Sequence, residues 1–344
     1  MTGGQDLPTS PAMPRGPAPR ADSRAVSAAL EAGKPDPQPI AWIGDPSQPQ
    51  ELGQWGRPDQ LSLPLDDRGL TLADGLFETV LVEQGQPRLL DAHLERWHRS
   101  AALLGMEPPP NRQGLEPLIV AALERSQAGG RALDGALRLN WSRGSALVRG
   151  IDLPAAGEPP LLHRFWLLFT PLQPSFRPVT VWISQLERRL GASVLSQCKT
   201  FAYGQAIQAR REARSAGAEE ALLLGTGGEL CCGATANLLL LIDGTWLTPP
   251  LASGCLPGVM RGRALELGLA REATLDPGLL LQPSNDPPNH PTTASVSAAL
   301  LLNSLGCRPI RAVNGQAVGA AGQPAGNPGW ASAQAESFWR SLLA

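Results

Sequence analysis

The order of apolar segments along this chain constrains its fold more than any other feature of the sequence. Alternating or continuous apolar residues predict strands at residues 76–90, with a hairpin turn at Gln84-Gly85, and at 136–141, 165–170, 179–184 and 221–224. Two more strands are predicted at 237–242 and 245–248, joined by an Asp243-Gly244 turn. Helical spacing predicts helices at residues 92–104, 115–125, 203–216, 258–267 and 332–343, the third of them ended by Gly217, while 297–302 fits a strand or a buried helix. Because strands and helices do not alternate regularly, the sequence predicts a mixed α/β (α+β) fold without a doubly wound parallel sheet.

Two proline-rich stretches divide the chain. Residues 1–37 contain seven prolines among Gly, Ser and Ala, with little apolar periodicity, which predicts a disordered N-terminal extension. A second break at residues 154–160 predicts a boundary between an N-terminal α+β domain, 38–155, and a C-terminal domain, 156–344. A length of 344 residues fits two domains of ordinary size.

The composition excludes several classes of function. A formal net charge of −2 leaves no basic surface for nucleic acid or an anionic membrane. The longest apolar run, residues 118–123, is much shorter than the roughly 20 residues of a membrane helix. Five cysteines, two of them adjacent at Cys231 and Cys232, make a poor disulfide framework and lack the paired spacing of zinc sites. We therefore expect a cytoplasmic protein without a metal site.

One lysine stands out among the basic residues. Of the 29 basic residues, 27 are arginines, and the only lysines are Lys34 and Lys199. Lys34 lies in the N-terminal extension, whereas Lys199 lies between a predicted strand and a predicted helix. Burial lowers the pKa of an amine, which can then attack a carbonyl, whereas arginine stays charged. Lys199 is therefore either a reactive amine or a surface lysine left by a codon bias toward arginine.

A reactive amine would fit a carbonyl cofactor such as pyridoxal phosphate, which also needs a phosphate site and a partner for its phenolate oxygen. The Gly- and Pro-rich loop 253–261 enters a predicted helix, where free N–H groups and the helix dipole favour an anion. Tyr203, the only tyrosine, follows Lys199 by four residues and could donate to the phenolate oxygen. Many helices begin with Pro-Gly, and tyrosines are common in cores, so both features also allow a purely structural role.

Short motifs in a fixed order resemble a known family. They are DRGL at 67–70, ADGLFET at 73–79, HLER at 93–96, SRGS at 142–145, KT at 199–200, Asn237 before Asp243-Gly244, TPPL at 248–251 and LPGVMR at 256–261. In this order they resemble the fold-type IV pyridoxal-phosphate enzymes, which include branched-chain aminotransferase, D-amino-acid transaminase and aminodeoxychorismate lyase. The resemblance covers about residues 40–315. It implies a homodimer of two-domain subunits that binds the cofactor between its domains and acts on a small molecule.

The resemblance also implies roles for single residues. Lys199 would form the Schiff base with the cofactor, and Tyr203 would bind its phenolate oxygen. Arg96 would bind the phosphate, unless it is a solvated helix arginine. The remaining phosphate ligands would be the N–H groups of Val259 and Met260 and the hydroxyl of Ser304.

One position departs from the family pattern. The family usually has a glutamate five residues before the motif asparagine, where it keeps the pyridine nitrogen protonated. Counting back from Asn237, that position is Cys232, and Glu229 lies three residues too early. A neutral thiol stabilises a pyridinium much less than a carboxylate does. The departure predicts a weaker electron sink, which disfavours transamination.

Three features resemble the aminodeoxychorismate lyase branch of the family. They are the Cys231-Cys232 pair before Ala236-Asn237, the stretch 303–310, and Arg149 shortly after SRG. Arg149 would hold a substrate carboxylate, or else it caps a surface loop. Phe77 would line the substrate pocket, or else it belongs to the core.

The resemblance thus implies a lyase of folate biosynthesis that converts 4-amino-4-deoxychorismate into 4-aminobenzoate and pyruvate. A D-amino-acid or branched-chain aminotransferase of the same family is an alternative, and a non-catalytic dimeric scaffold is another. Asp74 and Glu78 are expected to stabilise the hairpin and to take no part in the chemistry.

Overall fold

Two β-sheets with helices packed against them make up the part of the chain that the computed structural model describes. That part comprises residues 38–48, 52–126, 134–145, 150–155, 157–158, 160–281, 296–318 and 328–344. The predicted extension, residues 1–37, and Arg149 lie outside the described residues. Both sheets belong to one compact unit of the chain, Asp36–Ala344. The predicted mixed α+β class is confirmed.

The first sheet is antiparallel and lies in the N-terminal half of the chain. Its strands are β1 (Ile40–Gly44), β2 (Gly53–Gly56), β3 (Gly75–Glu83), β4 (Gln86–Pro87), β5 (Gly135–Ser142) and β6 (Arg164–Pro171). They pair in the order β2-β1-β6-β5-β3-β4. The helices of this half are α1 (Arg68–Thr71), α2 (Leu90–Leu103) and α3 (Arg112–Ser126).

Local sequence explains the elements that carry most of the first sheet's core. Gln84 and Gly85 both have positive φ, 53° and 74°, which suits the tight turn of the β3–β4 hairpin. Helix α2 buries Leu94, Trp97 and Ala101, which lie on one face at helical spacing. Their burial holds α2 against the sheet and directs its next face toward the second half of the chain.

The second sheet has nine strands among the described residues. They are β7 (Val179–Arg189), β8 (Glu220–Gly225), β9 (Leu230–Gly233), β10 (Asn237–Ile242), β11 (Thr245–Thr248), β12 (Ala270–Glu272), β13 (Val296–Asn303), β14 (Gly306–Val313) and β15 (Gln316–Ala317). Strand β9 pairs with both β8 and β10, which closes β10-β13-β14-β7-β8-β9 into a ring. The helices of this half are α4 (Gly204–Ser215), α5 (Val259–Glu266) and α6 (Pro328–Ser341).

Short 3-10 helices occupy four of the described connections. They are Pro58–Gln60, Val194–Gln197, Leu251–Ser253 and Pro277–Leu279. The second of them leads directly into Lys199. None of the helices among the described residues is both long enough and apolar enough to cross a membrane.

The proline-rich break does not separate the two sheets. Strand β6 follows the break but pairs with β1 and β5, so the first sheet continues to Pro171 and the chain enters the second sheet at Val179. A boundary at residue 155 therefore lies inside a connection of the first sheet, and the division into two domains stays a prediction. The ambiguous segment 297–302 is a strand, β13, and the sequence patterns missed β1, β2, β9, β12, β14 and β15.

Candidate active site

The predicted site residues meet at one cavity between the two sheets. The cavity has a volume of about 580 Å³, which is enough for a cofactor with a small substrate. Eight of the nine predicted residues line it: Phe77, Arg96, Lys199, Tyr203, Cys232, Val259, Met260 and Ser304. The ninth, Arg149, lies outside the described residues. The roles assigned to these residues stay predictions.

Lys199 lies on a short segment between β7 and α4 whose backbone is hydrogen-bonded to β3 of the first sheet. The backbone N–H of Phe77 donates to the Lys199 carbonyl at 2.9 Å, and that of Phe201 donates to the Gly75 carbonyl at 3.0 Å. The Nζ atom of Lys199 donates to the Tyr203 Oη at 3.2 Å and lies 4.2 Å from the centre of the Phe77 ring.

The amine of Lys199 has an unusually low proton affinity. Burial and the positive charge of Arg96 lower the pKa of Lys199 to about 7, although Glu78 acts in the opposite direction. A large fraction of the amine is therefore neutral near pH 7 and can act as a nucleophile or a base. Burial also raises the pKa of Tyr203, which keeps its phenol protonated as a hydrogen-bond donor.

Arg138 is a second cation in the cavity that the sequence analysis did not identify. Its guanidinium lies 3.6 Å from the centre of the Phe77 ring, and its Nε donates to the Asn140 amide oxygen at 2.7 Å. Within the described part of the chain it forms no ion pair with a carboxylate. Burial lowers the pKa of Arg138, because a half-buried cation without a partner is poorly solvated. Arg138 is therefore suited to an anionic ligand.

Arg96 also lines the cavity, where it joins helix α2 to the loop before α5. Its Nε and Nη2 donate to the two carboxylate oxygens of Glu78 at 2.8 and 2.6 Å, and its Nη1 donates to the Pro257 carbonyl at 3.1 Å. Arg96 is only 5% exposed, so it is not a solvated helix arginine. Its fork geometry, held by Glu78, is the kind that binds phosphate.

The loop before α5 is shaped to approach an anion closely. A Cβ atom at Gly258 would collide with the Oδ1 of Asn237 and force that side chain to move. The Asn237 side-chain amide in turn donates to the Leu256 carbonyl at 2.9 Å. The N–H groups of Val259 and Met260, in the first turn of α5, have no acceptor within the helix. Together with Arg96, these groups fit the phosphate of a cofactor whose aldehyde reaches Lys199.

Glu78 and His93 form a buried pair behind the cavity that the sequence analysis missed. His93 Nδ1 lies 2.8 Å from Glu78 Oε2, and His93 Nε2 lies 3.2 Å from Ser304 Oγ. Burial alone would raise the pKa of Glu78, but Arg96 and the hydrogen bonds from His93 and Arg96 hold it at about 2. The expectation that Glu78 stabilises the hairpin is wrong in its partners, because the carboxylate binds two residues of α2; that it takes no part in the chemistry stays a prediction. The sequence signal for its burial was its place on β3, where it lies on the same face as the apolar Leu76 and Val80.

Asp74, in contrast, has the structural role that was expected, but with different partners. Its carboxylate accepts hydrogen bonds from Nε of Arg68 at 2.9 Å and from Nε of Arg143 at 2.9 Å. Both arginines are buried. Asp74 thus joins the start of β3 to α1 and to the turn after β5.

Cys232 faces the cavity from β9, directly opposite Asn237 on β10. The Cys231 thiol lies 3.7 Å from the Cys232 sulfur, and its donation lowers the pKa of Cys232, as does the positive charge of Arg189. Arg189 also lines the cavity, with its Nε donating to the Gly254 carbonyl at 3.0 Å. The described residues that line the cavity include no Asp or Glu.

Comparisons with known proteins identify the family. The sequence model of the class IV amino-transferases matches residues 75–313. The chain belongs to the class IV aminotransferase family. Members of this family use pyridoxal phosphate, and the phosphate site, the buried amine and the tyrosine described above fit that cofactor.

Individual relatives in this family are distant from the chain. A bifunctional aminodeoxychorismate lyase / D-amino acid transaminase of Mycobacterium tuberculosis is 28% identical over 236 residues, which cover 64% of this chain and 77% of that protein. An aminodeoxychorismate lyase of Vibrio harveyi is 27% identical over 208 residues, which cover 60% and 73%. The pyridoxal-phosphate-bound form of a hypothetical aminotransferase from Mycobacterium tuberculosis is 19% identical, with a TM-score of 0.67 over 88% of this chain and 99% of that chain. The structural likeness shows the fold of class IV aminotransferases.

Proposed function

We propose that this class IV enzyme is a carbon–oxygen lyase that converts 4-amino-4-deoxychorismate into 4-aminobenzoate and pyruvate. The charge of the cavity is the observation that carries the proposal. Lys199, Arg96, Arg138 and Arg189 line it, and no carboxylate does among the described residues. The proposed substrate has two carboxylates, one on the ring and one on the enolpyruvyl group. A cavity with an unpaired Arg138 beside the reactive amine suits such a dianion.

The residues of the chain supply the proton transfers and the binding energy. When bound, pyridoxal phosphate supplies an aldehyde that reacts with amines and a ring that accepts electron density. The amine of Lys199 takes the C4 proton of the substrate, and its pKa of about 7 suits a base at neutral pH. As the C4–H and C3–O bonds break, the ring becomes aromatic and enolpyruvate leaves. Enolpyruvate then takes a proton from Lys199 and becomes pyruvate, so the reaction needs no oxidant or water.

The thiol at Cys232 supports a lyase over a transaminase. A transaminase must hold an electron pair long enough to place a proton on a second carbon, and a carboxylate near the pyridine nitrogen favours this. The lyase reaction instead moves the electron pair directly into an aromatic ring. Transamination of D- or branched-chain amino acids is the second candidate, since the 28% identical relative from Mycobacterium tuberculosis carries both names.

A homodimer is part of the proposal, because large apolar side chains are exposed around α1. Leu65, Leu70, Ile151 and Leu162 are 84%, 56%, 78% and 82% exposed. Arg68 ties this region together, since its guanidinium donates to the Ile151 carbonyl at 3.1 Å. A second copy would cover these side chains. Analytical ultracentrifugation of the wild type and of Leu162→Glu tests this. We expect the wild type to sediment as a dimer and Leu162→Glu to dissociate into monomers at higher concentrations than the wild type does. A monomeric wild type would contradict the proposal.

The activity test compares two reactions on the same protein. We expect 4-amino-4-deoxychorismate to give 4-aminobenzoate and pyruvate in equal amounts. Fluorescence measures the 4-aminobenzoate, and a coupled lactate dehydrogenase assay measures the pyruvate. Lys199→Ala should abolish both products and the imine absorbance of the cofactor, whereas Lys34→Ala should change neither. Amino-group transfer from D- or branched-chain amino acids to 2-oxo acids, without pyruvate from aminodeoxychorismate, would replace the lyase by the transaminase.

A variant at Cys232 tests the electron-sink argument. We expect Cys232→Glu to raise the rate of amino transfer to 2-oxo acids relative to the lyase rate, because it restores a carboxylate at this position. Cys232→Gln has a similar shape without the charge and should not raise it. An equal ratio of amino-transfer rate to lyase rate in the two variants would show that the charge at this position does not decide between the reactions.

A further inference from the structure

A chain of four buried or half-buried side chains leads from the first sheet to two loops of the second. Glu78 on β3 binds both Arg96 and His93 of α2. Arg96 reaches the Pro257 carbonyl, and His93 reaches Ser304 in the turn between β13 and β14. Only Arg96 and Ser304 of the four line the cavity. The two ends of this chain are therefore the two side chains predicted to bind the cofactor's phosphate.

The position of each proton in this chain follows from its charges. With a pKa of about 2, Glu78 is ionised at neutral pH and can only accept hydrogen bonds, so His93 carries a proton on Nδ1. Burial lowers the pKa of His93, which leaves Nε2 without a proton. The hydroxyl of Ser304 must then donate to Nε2. Its proton points toward His93 and is not available to a ligand in the cavity.

A bound phosphate changes this balance. A phosphate dianion beside Arg96 accepts hydrogen bonds, and Ser304 can donate to it only if the hydroxyl proton turns away from His93. His93 Nε2 would then need a proton of its own in order to donate to the Ser304 oxygen. One proton taken from solvent satisfies every group in the chain.

We propose that Glu78 and His93 are positioning residues for the cofactor's phosphate: Glu78 fixes Arg96 and the Nδ1–H form of His93, and His93 takes up a proton at Nε2 when the phosphate binds, which turns the Ser304 hydroxyl toward it. The proposal depends on the cofactor class and not on the lyase reaction.

The charges around His93 agree with this direction. Glu78 faces it from β3 and favours the protonated imidazole, whereas Arg96 from α2 and Lys199 from the segment before α4 oppose it. A phosphate dianion at the cavity offsets the two cations. Protonation of His93 and binding of phosphate therefore favour each other.

Proton uptake on binding tests the proposal directly. Pyridoxamine phosphate is a suitable probe for the cofactor-free full chain, because it has no aldehyde for Lys199 to attack. Titration calorimetry at pH 8 in buffers of different ionisation heat measures the protons taken up. We expect the wild type to take up about one proton more than His93→Asn. We expect the same loss in Ser304→Ala, although that variant keeps the imidazole. Equal uptake in all three proteins would overturn the proposal, and Lys199 cannot mimic the result because all three retain it.

Affinity for a ligand pair tests the role of Glu78. We expect Glu78→Gln to weaken the binding of pyridoxamine phosphate about tenfold or more, because Arg96 loses charge-assisted hydrogen bonds. The affinity for pyridoxamine, which has no phosphate, should stay unchanged. The control is Glu95→Gln, an exposed neighbour of Arg96 on α2, which should change neither affinity. Equal weakening of both ligands by Glu78→Gln would mean a loss of packing and would refute the positioning role.

The variants remain informative if Glu78→Gln does not fold, because the His93 and Ser304 variants carry the proton test alone. The two hypotheses also fail separately. A protein without lyase activity can still take up the proton, and an active lyase can bind its cofactor without it.

Discussion

Replacing Lys199 by methionine should make the cofactor-free protein more stable at neutral pH. Burial and Arg96 lower the pKa of this amine from the usual 10.5 to about 7, so folding makes the amine harder to protonate. Each pKa unit corresponds to about 1.4 kcal/mol, which gives at most about 5 kcal/mol of folding free energy at pH 7. Solvent in the cavity screens part of this, so we expect a gain of about 2–5 kcal/mol.

The sign of the pH dependence distinguishes this effect from better packing. The unfolded chain binds the proton at Lys199 up to about pH 10.5, and the folded chain only below about pH 7. The penalty is thus complete at pH 7 and below, and it disappears as the pH rises to 10.5. The gain from Lys199→Met should shrink over the same interval.

Guanidinium unfolding of the cofactor-free proteins between pH 6 and pH 10.5 measures the gain. Lys34→Met removes the only other lysine of the chain and should leave the unfolding free energy unchanged. A gain that stays constant with pH would come from packing alone. No gain at pH 7 would mean that Lys199 is an ordinary charged lysine, and the argument for a reactive amine would be wrong.

Three further substitutions test other parts of the site. Gly258→Ala should weaken cofactor binding, measured by absorbance titration, because the new methyl group collides with Asn237, whereas Gly262→Ala meets no atom within 4 Å and should not. Asp74→Asn should lower the unfolding free energy by about 3–5 kcal/mol in denaturant titration, since two buried arginines lose their carboxylate. Arg138→Gln should raise KM for the dicarboxylate substrate about tenfold or more in the pyruvate assay, with little change in cofactor affinity.

Local signals in the sequence were sufficient for much of the fold. Gln84-Gly85 predicted the turn of the β3–β4 hairpin, and both residues have the positive φ that such a turn requires. Gly217 predicted the end of α4, and it too has positive φ, 78°. Asp243-Gly244 predicted the turn between β10 and β11 in the same way. Each of these features depends on a few neighbouring residues, which is why a single sequence reveals them.

Pairings between distant segments could not be predicted in this way. Strand β6 follows a proline-rich break, and nothing in its own residues shows that it pairs with β1, more than a hundred positions earlier. Glu78 binds residues 15 and 18 positions away, and Arg138 is unusual only because no carboxylate among the described residues pairs with it. Eight of the nine predicted site residues nevertheless line one cavity. They were found because the order of the motifs resembles that of a known enzyme family.

The site's dependence on both sheets explains its electrostatics. Each half of the chain supplies cations to the cavity, Arg96 of α2 and Arg138 of β5 from the first and Arg189 of β7 from the second, and Lys199 lies on a segment that hydrogen-bonds to β3. Among the described residues only Glu78 compensates this charge closely, and it does so from behind Arg96. The folded protein therefore keeps an excess of poorly solvated positive charge in the cavity until anions bind there. A phosphorylated cofactor and an acidic substrate would each relieve that excess, so the charges that make the empty site costly are also those that give it affinity and a neutral amine.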